Sequence, residues 1–472
     1  MQKPQYELGL IGLGTMGRNL LMNMADHGFS VAGYDNDPSR VEQILNTEHN
    51  EKISGQSNLT DFIAILKKPR VIMLLVPAGR IVDDVIDEIL PFLEKGDIIV
   101  DGGNSHYIDT ERRITYLEEK NIQFVGMGIS GGAEGARKGP SMMPGGSLES
   151  WERIRAIFEA AAAKVDGTPC VSYMGKRSAG HYVKMVHNGI EYGMMELIAE
   201  TYDYMRRALG WGNERIADAF DRWNDGKLHS YLIEITAKVF RTGDPLDSGD
   251  LIDKIRDESK QKGTGKWTSQ DAMDLQVPVP GIDLAVAMRD LSGYLSERTV
   301  AAEILKGPEN SSSDKHSDGR IQKLENALYF GFLINFAQGM ALLKKASQTF
   351  EYGLSPTEIA KIWRGGCIIR AAILEDIRKA FDQNEDLKNI MLDPHIAEQL
   401  NKYQKDTREI SISMIQKGIP GMALINVISY FDAYRSPRLP ANLIQAQRDF
   451  FGAHGFERLD REGVFHADWG KP

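Results

Sequence analysis

Cysteine is scarce in this 472-residue chain. Cys170 and Cys367 are its two, which excludes a disulfide framework and a cysteine-rich zinc site. Positive charge is in deficit, with 56 Lys and Arg against 66 Asp and Glu and a formal charge of −10. That balance argues against general nucleic-acid or membrane-surface binding, while leaving room for a local basic pocket. No apolar run reads as long enough to cross a bilayer. A strand-like segment begins by Tyr6, which leaves no room for a signal peptide. The expectation is a soluble cytoplasmic protein. What the chain does have is length and 42% hydrophobic residues, enough for two or three domains.

Glycine is plentiful and concentrated where it signifies. Tyr6 to Gly17 reads as a buried strand running into Gly12-x-Gly14-x-x-Gly17. A helix-like segment follows from Arg18 to about His27. A second strand, Phe29 to Tyr34, then ends at Asp35, eighteen residues after Gly17. Strand, glycines, helix, strand and terminal acid together predict a Rossmann-like dinucleotide-binding fold: the glycines allow a tight turn, and the helix N-terminus meets a pyrophosphate. The β/α alternation continues through strands Val71–Val76, Asp97–Asp101 and Asn121–Gly126, with a helical pattern from Arg80 to Leu93. Polar or glycine-rich clusters, Asn104 and Ser130-Gly131-Gly132, fall at strand ends, where open α/β sheets bind ligands. Asp37 and Pro38 suit a helix start. Asp35 is better explained as an acceptor for ribose hydroxyls, which favours NAD; Arg40 is the nearby cation that could answer a 2′-phosphate.

From about Ser178 the pattern becomes helical. In His181–Tyr192, helical spacing puts Lys184, His187, Asn188, Glu191 and Tyr192 on one face, with Met185, Val186 and Ile190 elsewhere on the wheel. Lys184 and Glu191 are then roughly 10 Å apart, able to address two ends of one small substrate. An internal repeat aligns Asn188–Gly193 with Asn326–Gly331 at a shift of 138, and Trp223 with Trp363 at 140. The second copy replaces Lys184 by Gln322, His187 by Glu325 and Glu191 by Tyr329. A merely solvated face would not predict that difference, so chemistry is expected of the first copy. The fold class is therefore an N-terminal Rossmann-like α/β domain (1–178), then a large all-α domain (179–434) with pseudo-repeats at about 179–307 and 320–434, then a C-terminal tail (435–472). A polar stretch, Pro308 to Gly319, separates the repeats.

Three stretches carry a family resemblance: Gly180–Gly193, Gln261-Lys-Gly-Thr-Gly-Lys-Trp267 and Leu443-Ile-Gln-Ala-Gln-Arg448. Over essentially its whole length the chain resembles the decarboxylating 6-phosphogluconate dehydrogenases. The resemblance implies oxidation of 6-phosphogluconate at C3, loss of CO2 and release of ribulose 5-phosphate. It makes Lys184 the base and Glu191 the acid. It places Asn104, Ser130, Gly131, Gly132, His187 and Asn188 around the sugar acid, and Tyr192, Lys262, Thr264 and Arg289 at the phosphate. Arg448 and His454 match residues supplied by a partner subunit, so a homodimer with shared sites is implied. Gly12, Gly14, Met16, Gly17, Asp35, Asn36, Val76, Pro77 and Asn104 form the expected cofactor set. The chemistry suits these residues: a neutral Lys184, its pKa well below about 10.4, can take the C3 hydroxyl proton. No metal is expected, because the β-keto group serves as the electron sink.

The cofactor is where this chain departs from the family. NADP-using members typically carry Asn-Arg-Thr where Asp35-Asn36-Asp37 stands, and often Lys where Pro77 stands. NAD is therefore favoured, with NADP the alternative. Two rival readings remain, another β-hydroxyacid dehydrogenase and a catalytically silent nucleotide-binding scaffold; retention of Lys184 and Glu191 speaks against the second.

Overall fold

The computed structural model describes residues 5–46, 51–308 and 317–470; most of the expected inter-repeat stretch lies outside the described residues. Seven strands form one sheet: β1 (Leu8–Ile11), β2 (Val31–Tyr34), β3 (Ile53–Gln56), β4 (Val71–Leu74), β5 (Ile98–Asp101), β6 (Gln123–Ser130) and β7 (Ser141–Gly145). Their order is β3-β2-β1-β4-β5-β6-β7. Every neighbouring pair is parallel except β6 and β7. β1 and β5 are buried at every residue, as Leu/Ile/Val-rich strands covered on both faces require. Apolar cores lie on both sides of the sheet, one under Leu20, Met24 and Phe158, the other under Phe62, Ile86 and Leu117.

Boundaries differ from the sequence reading at several points. β1 begins at Leu8 rather than Tyr6, and β6 runs on through Ser130. The first helix spans Thr15–Asp26, because Gly14 serves as its N-cap and the turn closes earlier than expected. Asp37 does cap the next helix, accepting from the Ser39 N–H at 3.0 Å with Pro38 first in the helix. β3 and β7 were not anticipated. β7 reads Ser-Met-Met-Pro-Gly, without a β-branched or aromatic residue to mark it.

From Ala179 the described chain is largely helical. A central helix, Ala179–Arg207, and a mate helix, Ser317–Thr349, dominate, and one apolar core runs through both repeats from Met143 to Phe431. The central helix sits directly on the sheet, backbone against backbone. A Cβ on Gly180 would collide with the carbonyls of Gly126 in β6 and Met143 in β7, and Gly128 lies against the Lys184 stem. The repeat is visible as reciprocal contacts. Gly193 packs on Asn335 and Gly331 packs on Leu197, and the shift of 138 turns the first contact into the second. The two long helices thus cross antiparallel about a local twofold. Near the same axis, the Tyr231 N–H donates to Arg370 O at 3.1 Å and the Ala372 N–H to His229 O at 2.8 Å.

The expectation about apolar runs needs correcting. Gly319–Thr349 is long and apolar enough to cross a membrane by composition, with a mean hydropathy of 1.3 over its best window. That window is 94% buried, because the mate helix is the core of the helical half. The tail carries a helix, Ala441–Gly452, and a small hairpin pairing Phe456–Glu457 with Val464–Phe465. Buried Asp449 organises it, accepting from the Gly455 N–H (2.9 Å), His466 Nδ1 (2.8 Å), the Ala467 N–H (3.1 Å) and Trp469 Nε1 (2.7 Å).

Candidate active site

The glycine turn after β1 is built for close approach. Gly12 has φ +99°, and a Cβ there would lie 2.5 Å from Leu75 O. A Cβ on Gly17 would strike Gly12 O, whereas Gly14 faces open space at the helix N-terminus. That open position is where a phosphate can meet backbone N–H groups. Asp35 is buried at the end of β2 and bound into the turn. Its Oδ2 accepts from the Leu13 N–H at 2.7 Å, its Oδ1 from the Asp37 N–H at 3.0 Å, and Arg40 Nη1 lies 3.3 Å from Oδ2. Arg40 is thus held against the acid, and Arg18, bonded to the Gln43 side chain, adds a second guanidinium that sequence reading had not counted. Met16 is partly buried against the core, while Asn36 and Pro77 are exposed and Val76 is half-buried. Asn104 is exposed after β5. Buried Arg113 fastens the last two turns together, donating to Gly79 O (2.9 Å), Ser105 Oγ (3.2 Å) and Asp83 Oδ1 (2.7 Å).

Beside these turns stands the polar face of the central helix. Lys184 is buried and has no hydrogen-bond or ion-pair partner within bonding distance among the described residues. Burial lowers its pKa, and the nearby Glu191 carboxylate and Cys367 thiol only partly oppose this. Burial raises the pKa of Glu191, opposed by Lys184 and Arg289. His187 is fully buried and held well below the usual imidazole value by desolvation and then by Lys184. Asn188 lies beside it, 3.2 Å from Nδ1. At the far end of the face, Arg289 stacks over the Tyr192 ring at 3.5 Å, and Gly265 closes against the same ring. Thr264 is buried as the first residue of helix Thr264–Asp274, while Lys262 is exposed just ahead of it. Asp271 of that helix accepts from Tyr107 at 2.5 Å and from Tyr182, tying the basic turn to the central helix and to the segment after Asn104.

The remaining wall comes from the second repeat. The loop after helix Pro356–Trp363 lays Gly366 O against Gly131, and the Ile368 N–H donates to Ser130 Oγ at 3.3 Å. Trp363 meets the His187 ring edge-on at 5.6 Å. Cys367 is buried close to Lys184, its thiol pushed up to about 12 by burial. Sequence reading missed this loop, although the Trp223/Trp363 alignment could have pointed to it. At the same shift of 140, Lys227 corresponds to Cys367. Lys227 lies over the mate helix, 2.5 Å from Asn326 Oδ1, 3.0 Å from Glu325 Oε1 and 4.7 Å from the Tyr403 ring centre. The second copy's polar face is therefore filled and paired. Within one chain Arg448 and His454 stay in the tail, where Arg448 bonds Gln445 (3.1 Å) and His454 packs on Phe451. Neither has a hydrogen bond, ion pair or ring contact with the other candidate residues.

Residues 180–469 match the family model described as the C-terminal domain of 6-phosphogluconate dehydrogenase, and residues 7–175 match the one described as its NAD binding domain. The chain belongs to the 6-phosphogluconate dehydrogenase family. It is 48% identical over 468 residues to the decarboxylating 6-phosphogluconate dehydrogenase of Lactococcus lactis subsp. lactis (strain IL1403), covering 98% of this chain and 99% of that one. It is 46% identical over 467 residues to the NADP(+)-dependent, decarboxylating 6-phosphogluconate dehydrogenase of Bacillus subtilis (strain 168), covering 99% and 100%. The solved 6-phosphogluconate dehydrogenase of Plasmodium falciparum superposes with a TM-score of 0.94 at 41% identity, over 98% of this chain and 100% of that one. That protein is known in apo form, with its cofactor NADP+ and with its substrate 6-phosphogluconate.

Proposed function

We propose that this 6-phosphogluconate dehydrogenase family member oxidises 6-phospho-D-gluconate at C3 and releases CO2 and D-ribulose 5-phosphate, with NAD(P)+ as oxidant. The observation that carries the reading is the pair on the central helix: a buried lysine without a bonding partner among the described residues, shifted toward its neutral form, and a partly buried glutamate shifted toward its acid form. Lys184 takes the C3 hydroxyl proton as hydride leaves the same carbon. The turns at Gly12–Gly17, Asp35–Asn36, Val76–Pro77 and Asn104 would hold the nucleotide, whose nicotinamide would supply the hydride acceptor. The β-keto acid then loses CO2, and Glu191 protonates the resulting enediol carbon. Ser130, Gly131, Gly132, His187, Asn188 and Asn104 hold the sugar acid. Tyr192, Lys262, Thr264 and Arg289 take the phosphate, joined by Arg448 and His454 from a second copy of the chain. In this reading residues 1–178 hold the nucleotide, 179–434 the substrate and the dimer contact, and 435–472 reach the neighbour. The acidic, cysteine-poor composition favours a cytoplasmic setting.

Between the two nucleotides the reading favours NAD. A 2′-phosphate at the end of β2 would meet the Asp35 carboxylate, a like-charge contact costing on the order of 1 kcal/mol or more. Arg40 is already engaged by Asp35 and by Asp37 at 3.5 Å. Steady-state kinetics with 6-phosphogluconate and each nucleotide, on wild type and Lys184→Met, test the proposal. Wild type should turn over with higher kcat/KM for NAD, and Lys184→Met should lose oxidation while still binding substrate. Near-normal turnover by Lys184→Met would sink the assignment of the base. A clear preference for NADP would show that Arg40 or Arg18 serves the 2′-phosphate. No turnover of 6-phosphogluconate with either nucleotide would leave another β-hydroxyacid dehydrogenase or a nucleotide-binding scaffold.

A further inference from the structure

His187 sits between two polar neighbours, and each decides one side of its ring. Nε2 lies 3.2 Å from Ser130 Oγ; Nδ1 lies 3.2 Å from Asn188 Oδ1 and 3.8 Å from Glu191 Oε2. A neutral imidazole has one N–H, so one nitrogen donates and the other accepts. On the Nε2 side, Ser130 Oγ also receives the Ile368 N–H at 3.3 Å, and a backbone N–H can only donate. Ser130 is itself buried, and His187 Nε2 is the remaining partner of its hydroxyl among the described residues. The hydroxyl hydrogen therefore points at Nε2, which accepts. On the other side the Asn188 amide oxygen faces Nδ1 at 3.2 Å and can only accept, so that nitrogen carries the hydrogen. The two sides agree.

We propose that Ser130, its hydroxyl oriented by the Ile368 N–H of the second repeat, is a positioning residue that fixes His187 as the neutral Nδ1–H tautomer. His187 then brings no positive charge to the sugar acid and exchanges no proton during turnover. It aims a hydrogen-bond donor along the helix face toward Asn188 and Glu191, leaving proton transfer to Lys184 and Glu191. Burial and the Lys184 charge act on the ring in the same sense, against its cation. The significance for catalysis rests on the proposed function, but the tautomer is a property of the resting protein and is read without turnover.

The test is the 15N spectrum of the full-length protein labelled at histidine, with His187 assigned by its loss in His187→Gln. The expected result is a protonated Nδ1 and an unprotonated Nε2, told apart by their couplings to the ring protons and unchanged from about pH 6 to about pH 9. An Nε2–H tautomer, or conversion to the cation within that window, overturns the proposal. Ser130→Ala should give a mixture of tautomers and lower kcat by about tenfold or more with little change in the nucleotide KM. Ser130→Thr, which keeps the hydroxyl, should restore the wild-type spectrum. A pure Nδ1–H form in Ser130→Ala would show that Ser130 does not set the tautomer. If instead Lys184→Met kept its activity, the proposed chemistry would fall while the spectral result stood.

Discussion

Burial acts on Lys184 and Glu191 in opposite directions because their charged forms carry opposite numbers of protons. Desolvation makes the lysine release its proton at lower pH and the glutamate keep its proton to higher pH. The proposed chemistry needs neutral Lys184 and protonated Glu191, so kcat/KM should trace a bell whose two apparent values belong to the pair. Glu191→Gln puts a neutral amide where the active form holds a neutral acid, and it removes the second titration. In the residual activity of that variant, the falling limb should vanish, and the rising limb should hold its place or move to higher pH, because ionisation of Glu191 contributes to the wild-type limb. A falling limb that persists would show that Glu191 is not the group that must stay protonated. Asp35 anchors Leu13 and Asp37 and, in the proposed reading, also faces the nucleotide. Replacing Asp35-Asn36-Asp37 by Asn-Arg-Thr should move preference toward NADP by about tenfold for each ~1.4 kcal/mol of repulsion relieved. It should also lower the melting temperature, because an amide cannot accept both backbone N–H bonds; one lost buried bond costs about 1–3 kcal/mol. Unchanged nucleotide preference would mean that Asp35 serves the turn alone. The fingerprint acid was legible in the sequence, but its bonds to Leu13, Asp37 and Arg40 depend on distances that spacing does not give.

The central helix owes its position to small residues. Gly180→Ala would push a methyl into the carbonyls of Gly126 and Met143, which belong to strands and cannot step aside. We expect a loss of about 1–3 kcal/mol or more in unfolding free energy, with kcat reduced because Lys184 is one turn further along the same helix. A denaturant midpoint equal to wild type would show that the seam has slack. A second test concerns Glu200, whose two carboxyl oxygens accept from the Ala423 and Leu424 N–H groups at 2.7 and 2.8 Å, at the start of helix Met422–Tyr434. Glu200→Gln turns an NH2 toward one of those donors and should destabilise the protein by about 1–3 kcal/mol in thermal unfolding. Elements with strong periodicity or a fixed backbone demand were readable: the glycine turn, the Lys184–Tyr192 face and the Asp37 cap. β7 was not, since a Met- and Gly-rich strand buried beneath a helix shows no alternation. The loop at Gly365–Ile368 escaped for another reason. It joins Ser130 from more than two hundred residues away, through a local twofold that only the folded chain reveals.

The whole molecule leaves Arg448 and His454 away from the rest of the candidate site and exposes Leu443, Phe451 and Leu459 on the same tail, at 61%, 72% and 89%. A second copy is proposed to receive that surface. Mixing Lys184→Met with Arg448→Ala should regenerate activity, since a hybrid dimer contains one site with both residues intact. Equal, fully exchanged mixtures should reach about a quarter of wild-type activity. No recovery after verified exchange would rule out a shared site. The seam at Gly126, Gly128, Gly145 and Gly180 bears on how such a molecule opens. Layers that glide past one another do so on side chains that can change rotamer, and where Gly180 meets Gly126, Met143 and Gly145 the contact is backbone on backbone. On this ground Lys184 and the nucleotide turns are expected to move as one body. In the proposed reading, admission of substrate and departure of product fall to the peripheral pieces, the basic turn before Thr264 and the tail offered to a second copy, so a slow step after the chemistry should respond to changes there and not to changes along the seam.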